Sequence, residues 1–178
     1  YGPSTVVYDL GDGLAVSIKE KTNYPFEEKI EFEFEFYKDG RKSDEAHMMD
    51  FTYRVPQWCK SSDITGFQTV SKEWVSGETF TVTLPMEIEL VPNPVEGLCI
   101  QHGPVVYSYP IPSVWEEDTQ VYDYLAGKVS GNPDFKCWNI TPDGKWNYAL
   151  VENMLEGIKV EYTGAEGFPF DLETVPVK

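Results

Sequence analysis

Glu78-Thr79-Phe80-Thr81-Val82-Thr83-Leu84-Pro85-Met86-Glu87-Ile88-Glu89-Leu90 is the stretch on which the reading of the fold turns. Phe80, Val82, Leu84, Met86, Ile88 and Leu90 alternate with threonine, proline and glutamate without a slip, and period two over so long a run means strand. One face of that strand is apolar and the other polar, as an antiparallel sheet with one wet side requires. Pro85 lacks a backbone donor, so the ladder weakens there, and the spacing predicts two strand segments joined at a bend or edge.

The rest of the chain repeats the signal. Val6 to Leu10 and Leu14 to Ile18 flank Gly11-Asp12-Gly13, whose glycines can take positive φ, and predict a hairpin. Ile30, Phe32, Phe34 and Phe36 alternate with Glu31, Glu33 and Glu35, the cleanest strand in the sequence, whose glutamates would also hinder edge pairing with another copy. Phe51, Tyr53 and Val55 alternate with Thr52 and Arg54, and Phe67 to Trp74, Leu98 to His102 and Val105 to Tyr109 read as further strands. Ser113 with Glu116 fits a capping box, and Val114, Val121, Tyr122 and Leu125 share a helical stripe, which predicts one helix ending at Gly127. Pro142-Asp143-Gly144 is a turn sequence between candidate strands at 135–140 and 145–151, and Ile158 to Tyr162 is the last strand candidate. The fold class expected is all-β: an antiparallel β-sandwich, immunoglobulin-like or jelly-roll-like, with one short helix in a long insertion. Residues 1–110 would form the sandwich and 111–178 an aromatic-rich extension with the helix and a hairpin.

Totals agree with this and narrow the partners. At 178 residues with 41% hydrophobic and 15% aromatic content the chain can bury a core. Fourteen basic against 30 acidic residues give a net charge of −16, which repels phosphate and anionic headgroups, so nucleic acid and membrane surface are poor partners. Glu27, Glu28, Glu31, Glu33 and Glu35 cluster, as do Glu116, Glu117 and Asp118. These read as solvated faces, with calcium or a basic partner as alternatives. Cys59, Cys99 and Cys137 stand in no C-x-x-C arrangement and indicate neither a disulfide framework nor a zinc site; they are expected to be buried thiols, with one bridged pair as the alternative in an exported protein. No apolar run approaches the length of a membrane span, and the opening Tyr1-Gly2-Pro3-Ser4 reads as neither half of a signal sequence.

Several of these segments fall in a familiar order. Tyr53-Arg54-Val55-Pro56-Gln57-Trp58, then Trp74 with Gly77, then Leu84-Pro85-Met86, then His102-Gly103-Pro104-Val105-Val106-Tyr107 resemble the β-sandwich portion of glycoside hydrolase family 127, the β-L-arabinofuranosidases. Tyr1 to Ser4 and Thr22-Asn23-Tyr24-Pro25-Phe26 are similar to the segments with which that family's chain leaves its catalytic barrel. The stretch Trp115 to Leu150 is similar to an extension in some bacterial members. Glu78 stands where the family usually has aspartate, and the segment between Trp58 and Trp74 is shorter. The resemblance implies chemistry in an (α/α)6 barrel, by a cysteine nucleophile, a zinc held by cysteines and a glutamate, and a glutamate acid/base. No adjacent cysteine pair or cysteine–glutamate cluster occurs in this sequence, so no catalytic residue and no metal ligand is carried over, and no cofactor is expected.

Local chemistry gives little more. A glycosidase needs two carboxyl groups about 5 to 9 Å apart, and 30 acidic residues supply such pairs, Glu116 with Asp118 or Glu31 with Glu33, by chance alone. His47 and His102 accompany no nucleophile motif. The aromatic set Trp115, Tyr122, Tyr124, Trp138 and Trp146, with Tyr148, is the carbohydrate-binding candidate, because a sugar's apolar face stacks on flat rings. Its alternatives are a satellite core under a long loop and packing against the barrel; Trp58 and Trp74 read as core. The expectation is a noncatalytic accessory region of an exported bacterial glycoside hydrolase, secreted or periplasmic. It would brace the missing barrel and serve as a dimer surface, with a carbohydrate-binding module and an unrelated structural or adhesion sandwich as alternatives.

Overall fold

The computed structural model describes residues 1–60, 64–93, 97–109, 111–118, 137–145, 147–148 and 154–161. Its elements are β1 (Ser4–Gly11), β2 (Leu14–Thr22), β3 (Lys29–Lys38), β4 (Arg41–Lys42), β5 (His47–Val55), β6 (Gly66–Trp74), β7 (Thr79–Thr83), β8 (Ile88–Pro92), β9 (Leu98–His102), β10 (Val105–Tyr107), β11 (Ser113–Glu117), β12 (Trp138–Pro142) and a 3₁₀ turn at Met154–Gly157. Every pairing is antiparallel. The described chain is all-β and sandwich-like, as the alternation predicts. Two compact units are present, Tyr1–Tyr107 with Leu155–Lys178, and Ser108–Met154.

In the first unit β1-β2-β3-β4 form a path, and β7 joins the same sheet by pairing with the first half of β3. Period two sends Ile30, Phe32, Phe34 and Phe36 inward, all buried, and Glu31, Glu33 and Glu35 outward. Against this face packs the β5–β6 ladder, whose Met49, Phe51, Val55 and Trp74 complete the core. The Phe34 and Trp74 ring centroids are 4.4 Å apart, and the Trp74 indole N–H donates to the Met49 carbonyl at 2.9 Å, satisfying its one polar atom. Burial of each phenylalanine contributes about 1.5–3 kcal/mol.

The outward glutamates do not guard an edge. β3 lies inside the sheet, and Lys21 reaches Glu33 at 2.7 Å, Lys29 reaches Glu31 at 3.0 Å and Lys42 reaches Glu35 at 2.9 Å. One edge of the sheet is β1, which is exposed on both faces, Tyr8 to 62%. Between β7 and β4 the β3 ladder is carried on by a turn: Gly77 donates to the Phe34 carbonyl at 2.8 Å, and Phe34 donates to Glu78 at 3.0 Å. Gly77 has φ +85°, which a side chain would strain. The Glu78 carboxylate holds this turn, accepting from Lys72 and from the Val75 N–H at 3.3 Å.

The run that begins at Glu78 breaks where Pro85 predicts. β7 stays in the large sheet; β8 enters a second, three-stranded sheet ordered β10-β9-β8. Between them Leu84 and Met86 are buried, and Glu28 secures both: its carbonyl accepts from the Leu84 N–H at 2.9 Å and its carboxylate from the Met86 N–H at 2.8 Å. The β9–β10 turn comes so close that a Cβ on Gly103, at φ +55°, would lie 2.7 Å from the Met86 side chain.

Four expectations fail. Ser113 to Glu117 are strand β11 and not the first turns of a helix, since Val114 and Trp115 favour a pleated surface and a complementary strand is at hand in β12. The Ser113 hydroxyl accepts the Trp115 indole N–H at 2.9 Å, which replaces the expected cap. The rest of that helix, with Val121, Tyr122 and Leu125, lies outside the described residues. The second strand of the expected 135–140/145–151 hairpin is absent from its described part: Trp138–Pro142 pairs with β11, and Lys145, Asn147 and Tyr148 are not in a strand. Ile158 to Glu161 are likewise irregular. Of the thiols only Cys59 is buried; Cys99 is half-buried and Cys137 exposed, all three unbridged.

Candidate functional site

The predicted carbohydrate-binding residues are brought together in part. In the second unit, β11 and β12 pair Ser113 with Pro142, Trp115 with Ile140 and Glu117 with Trp138, which places these six residues on one face of the hairpin. Trp115 and Trp138 are diagonal neighbours there, their centroids 6.2 Å apart and their planes at 69°, with 58% and 45% of each residue exposed. Beside them a shallow depression of about 350 Å³ is lined by Ile111, Ser113, Ile140 and Pro142. Tyr148 packs instead on Tyr109, at 4.8 Å. Tyr122, Tyr124 and Trp146 lie outside the described residues. The other tryptophans are core as expected: Trp74 is fully buried, and Trp58 packs on the core with its ring stacked 6.4 Å from Tyr24.

A second concave surface, not anticipated, lies in the first unit. Tyr1, Glu20, Tyr24, Thr52, Arg54 and Phe67 line most of a cleft of about 390 Å³ beside the edge of β5 that faces away from β6. The Tyr1 hydroxyl donates to the Arg54 carbonyl and accepts from the Arg54 N–H at 2.9 Å, so it engages that strand edge as a neighbouring backbone would. The Tyr1 ring meets Tyr24 edge-on, centroids 5.7 Å apart. Glu20 accepts the Gly2 N–H at 2.9 Å; burial pushes its carboxyl above the usual range, opposed by that hydrogen bond. Burial also raises the Tyr24 and Tyr1 hydroxyls, against hydrogen bonds with Trp58 and with the Arg54 backbone respectively. Among the described residues no ion pair joins Glu20 to Arg54. A trace of this site exists in the sequence: Leu14, Val16 and Ile18 set the inward phase of β2, and Glu20 is a charge at the next inward position.

His47 and His102 belong to the first unit. His47 shares a 2.8 Å hydrogen bond with Ser43 and packs on Phe36, and His102 lies in β9. Glu116 and Asp118 sit at the exposed hairpin, where the Asp118 N–H donates to the Cys137 carbonyl at 2.8 Å. No group of three or more His, Cys, Asp or Glu side chains suited to a metal ion occurs among the described residues. Nor, among them, is any helix long and apolar enough to cross a membrane.

No curated protein matches the chain. Among solved structures, one described as a glycoside hydrolase is 18% identical, with 60% of this chain and 20% of that one covered and a TM-score of 0.48. A GH127 β-L-arabinofuranosidase, Ara127N, from Geobacillus stearothermophilus T6 is 16% identical, with 80% and 29% covered and a TM-score of 0.47. The chain thus spans under a third of the length of either. The family model for the β-L-arabinofuranosidase GH127 middle domain matches residues 1–86, from the start of the chain through β7 to Met86. Residues 1–86, which carry both layers of the sandwich core, belong to the middle-domain family of the GH127 β-L-arabinofuranosidases.

Proposed function

We propose that this chain is a noncatalytic accessory region of a larger, exported GH127 glycoside hydrolase, in which it braces the catalytic barrel. The observation that carries the reading is the middle-domain match over residues 1–86. The exposed edge strand β1 supports it: Val6, Val7 and Tyr8 present apolar surface on both faces, and such an edge needs a cover or a partner. The barrel of the same polypeptide is that partner in this reading, and a second copy is the competing one. Incubating the chain with aryl β-L-arabinofuranosides should give no turnover, and zinc-stimulated or metal-independent hydrolysis would overturn the reading. In the full-length parent, Val7→Asp and Tyr8→Asp should loosen the barrel, seen as faster proteolysis there; a shift in sedimentation alone would assign β1 to a dimer. Export is tested by fractionating the parent's host.

The exposed Trp115–Trp138 pair favours a second reading, a carbohydrate-binding surface on the β11–β12 hairpin. Calorimetric titration with oligosaccharides decides it: binding abolished by Trp138→Ala and Trp115→Ala but kept in Tyr8→Ala supports the surface. A substitution at Trp74 is no control, because that ring is fully buried in the other unit.

A further inference from the structure

The cleft at the β5 edge has features that the sandwich core does not require. Arg54 directs its backbone N–H and carbonyl to Tyr1, away from β6, so by the two-residue period of an antiparallel ladder Thr52 directs its own backbone groups to the same open side. Glu20 and Arg54, opposite in charge, both line this cleft, and among the described residues no ion pair joins them. Flat rings also line that space: Tyr1, Tyr24 and Phe67, the last 77% exposed.

Chemistry selects the ligand. An anion would meet Glu20 and a cation Arg54, while an apolar molecule would strip water from both charges without replacing their hydrogen bonds. A peptide strand added to β5 would need the Arg54 N–H and carbonyl, which the Tyr1 hydroxyl already holds. A neutral polyhydroxylated ring meets every demand: its hydroxyls donate to the carboxylate and accept from the guanidinium and the Thr52 N–H, and its C–H face lies on an aromatic ring. A volume of about 390 Å³ falls in the range of small-molecule pockets.

We propose that the cleft formed by Tyr1, Glu20, Tyr24, Thr52, Arg54 and Phe67 is a binding site for a neutral sugar on the sandwich. The site stands on its own geometry and needs neither the hairpin surface nor the barrel. The test is titration of this chain with L-arabinose, D-galactose, D-glucose and disaccharides containing them, followed by calorimetry and by shifts of backbone amide resonances. At least one sugar saturates, with the largest shifts at residues 20, 24 and 52–54. Arg54→Ala and Glu20→Gln each weaken that binding about tenfold or more, as loss of a hydrogen bond to a charged group does. Phe67→Ala weakens it several-fold at unchanged melting temperature, which separates loss of the site from loss of the fold. Trp115→Ala and Trp138→Ala leave it unchanged. The proposal is overturned if no sugar saturates, if binding survives Arg54→Ala and Phe67→Ala, or if it is lost in Trp138→Ala instead; that last result supports the hairpin surface alone. Failure here leaves the accessory role of the chain untouched, since that role is read from turnover and proteolysis.

Discussion

The β2–β3 ladder and the β11–β12 ladder are both antiparallel and unbroken in register, yet they differ in what backs them. β3 sends four apolar residues into a core shared with β5, β6 and β7, while both strands of the hairpin carry exposed aromatic or aliphatic side chains along their length. Backbone pairing is the same in the two cases, so it does not distinguish them. A buried apolar face does, and aromatic residues that lack one add little to the stability of the fold.

Substitution in the sandwich core should therefore have the largest effect. Phe34→Ala removes a fully buried ring that packs edge-on against Phe51, at 5.1 Å, and against Trp74. Denaturant unfolding should show a loss of about 3–5 kcal/mol. A loss as small as the hairpin's would mean that the two ladders are alike after all. Next comes the bend at which the chain leaves the large sheet. Gly103→Ala places a methyl within 2.7 Å of the Met86 side chain at a left-handed backbone position, and should cost about 1–3 kcal/mol. Met86→Ala should cost less in that background than on its own, because it removes the atoms with which the new methyl clashes.

How far these differences were legible depends on what period two can report. It located the break at Pro85, the β1–β2 hairpin and the inward phenylalanines of β3, because burial on one face imposes the pattern directly. It did not show that β3 lies inside the sheet, since outward glutamates look the same beside a lysine ladder as beside water. It failed at Ser113, where a serine followed three residues later by glutamate is both a helix cap and part of an alternating strand, and only the distant partner Trp138–Pro142 decides between them. Of the candidate site, Trp115 and Trp138 were recognisable as aromatics outside the core pattern, but their adjacency needed the register of that pairing. The β5 cleft joins Tyr1, Glu20 and Arg54 from three separate segments, and only the charge at an inward position of β2, Glu20, hinted at it.

In the hairpin itself Trp115→Ala should move the unfolding free energy of the first unit by no more than about 0.5 kcal/mol, the ordinary range for an exposed position. The same substitution should lose oligosaccharide binding if the hairpin is a binding surface. A core-sized loss of stability, measured by the same denaturant curve, would erase the contrast with Phe34.

The smallest effect should come from the sandwich's own wet face, which resembles the hairpin in exposure while belonging to the same strand as Phe34. Hydrogen bonds from Lys42 and then from Tyr37 hold the Glu35 carboxyl below its ordinary range. A group whose folded value is depressed contributes stability that is present above its unfolded value and lost as pH falls through the folded one. Glu35→Gln should therefore cost slightly at neutral pH and nothing once the carboxylate would be protonated, so the wild-type and variant curves of stability against pH converge on the acid side. Salt should bring them together at neutral pH too, since the Lys42–Glu35 pair is open to solvent. If the curves instead stay apart in acid, Glu35 is held by something other than its ion pair, and the division of β3 into a face that makes the fold and a face that only solvates it fails at that residue.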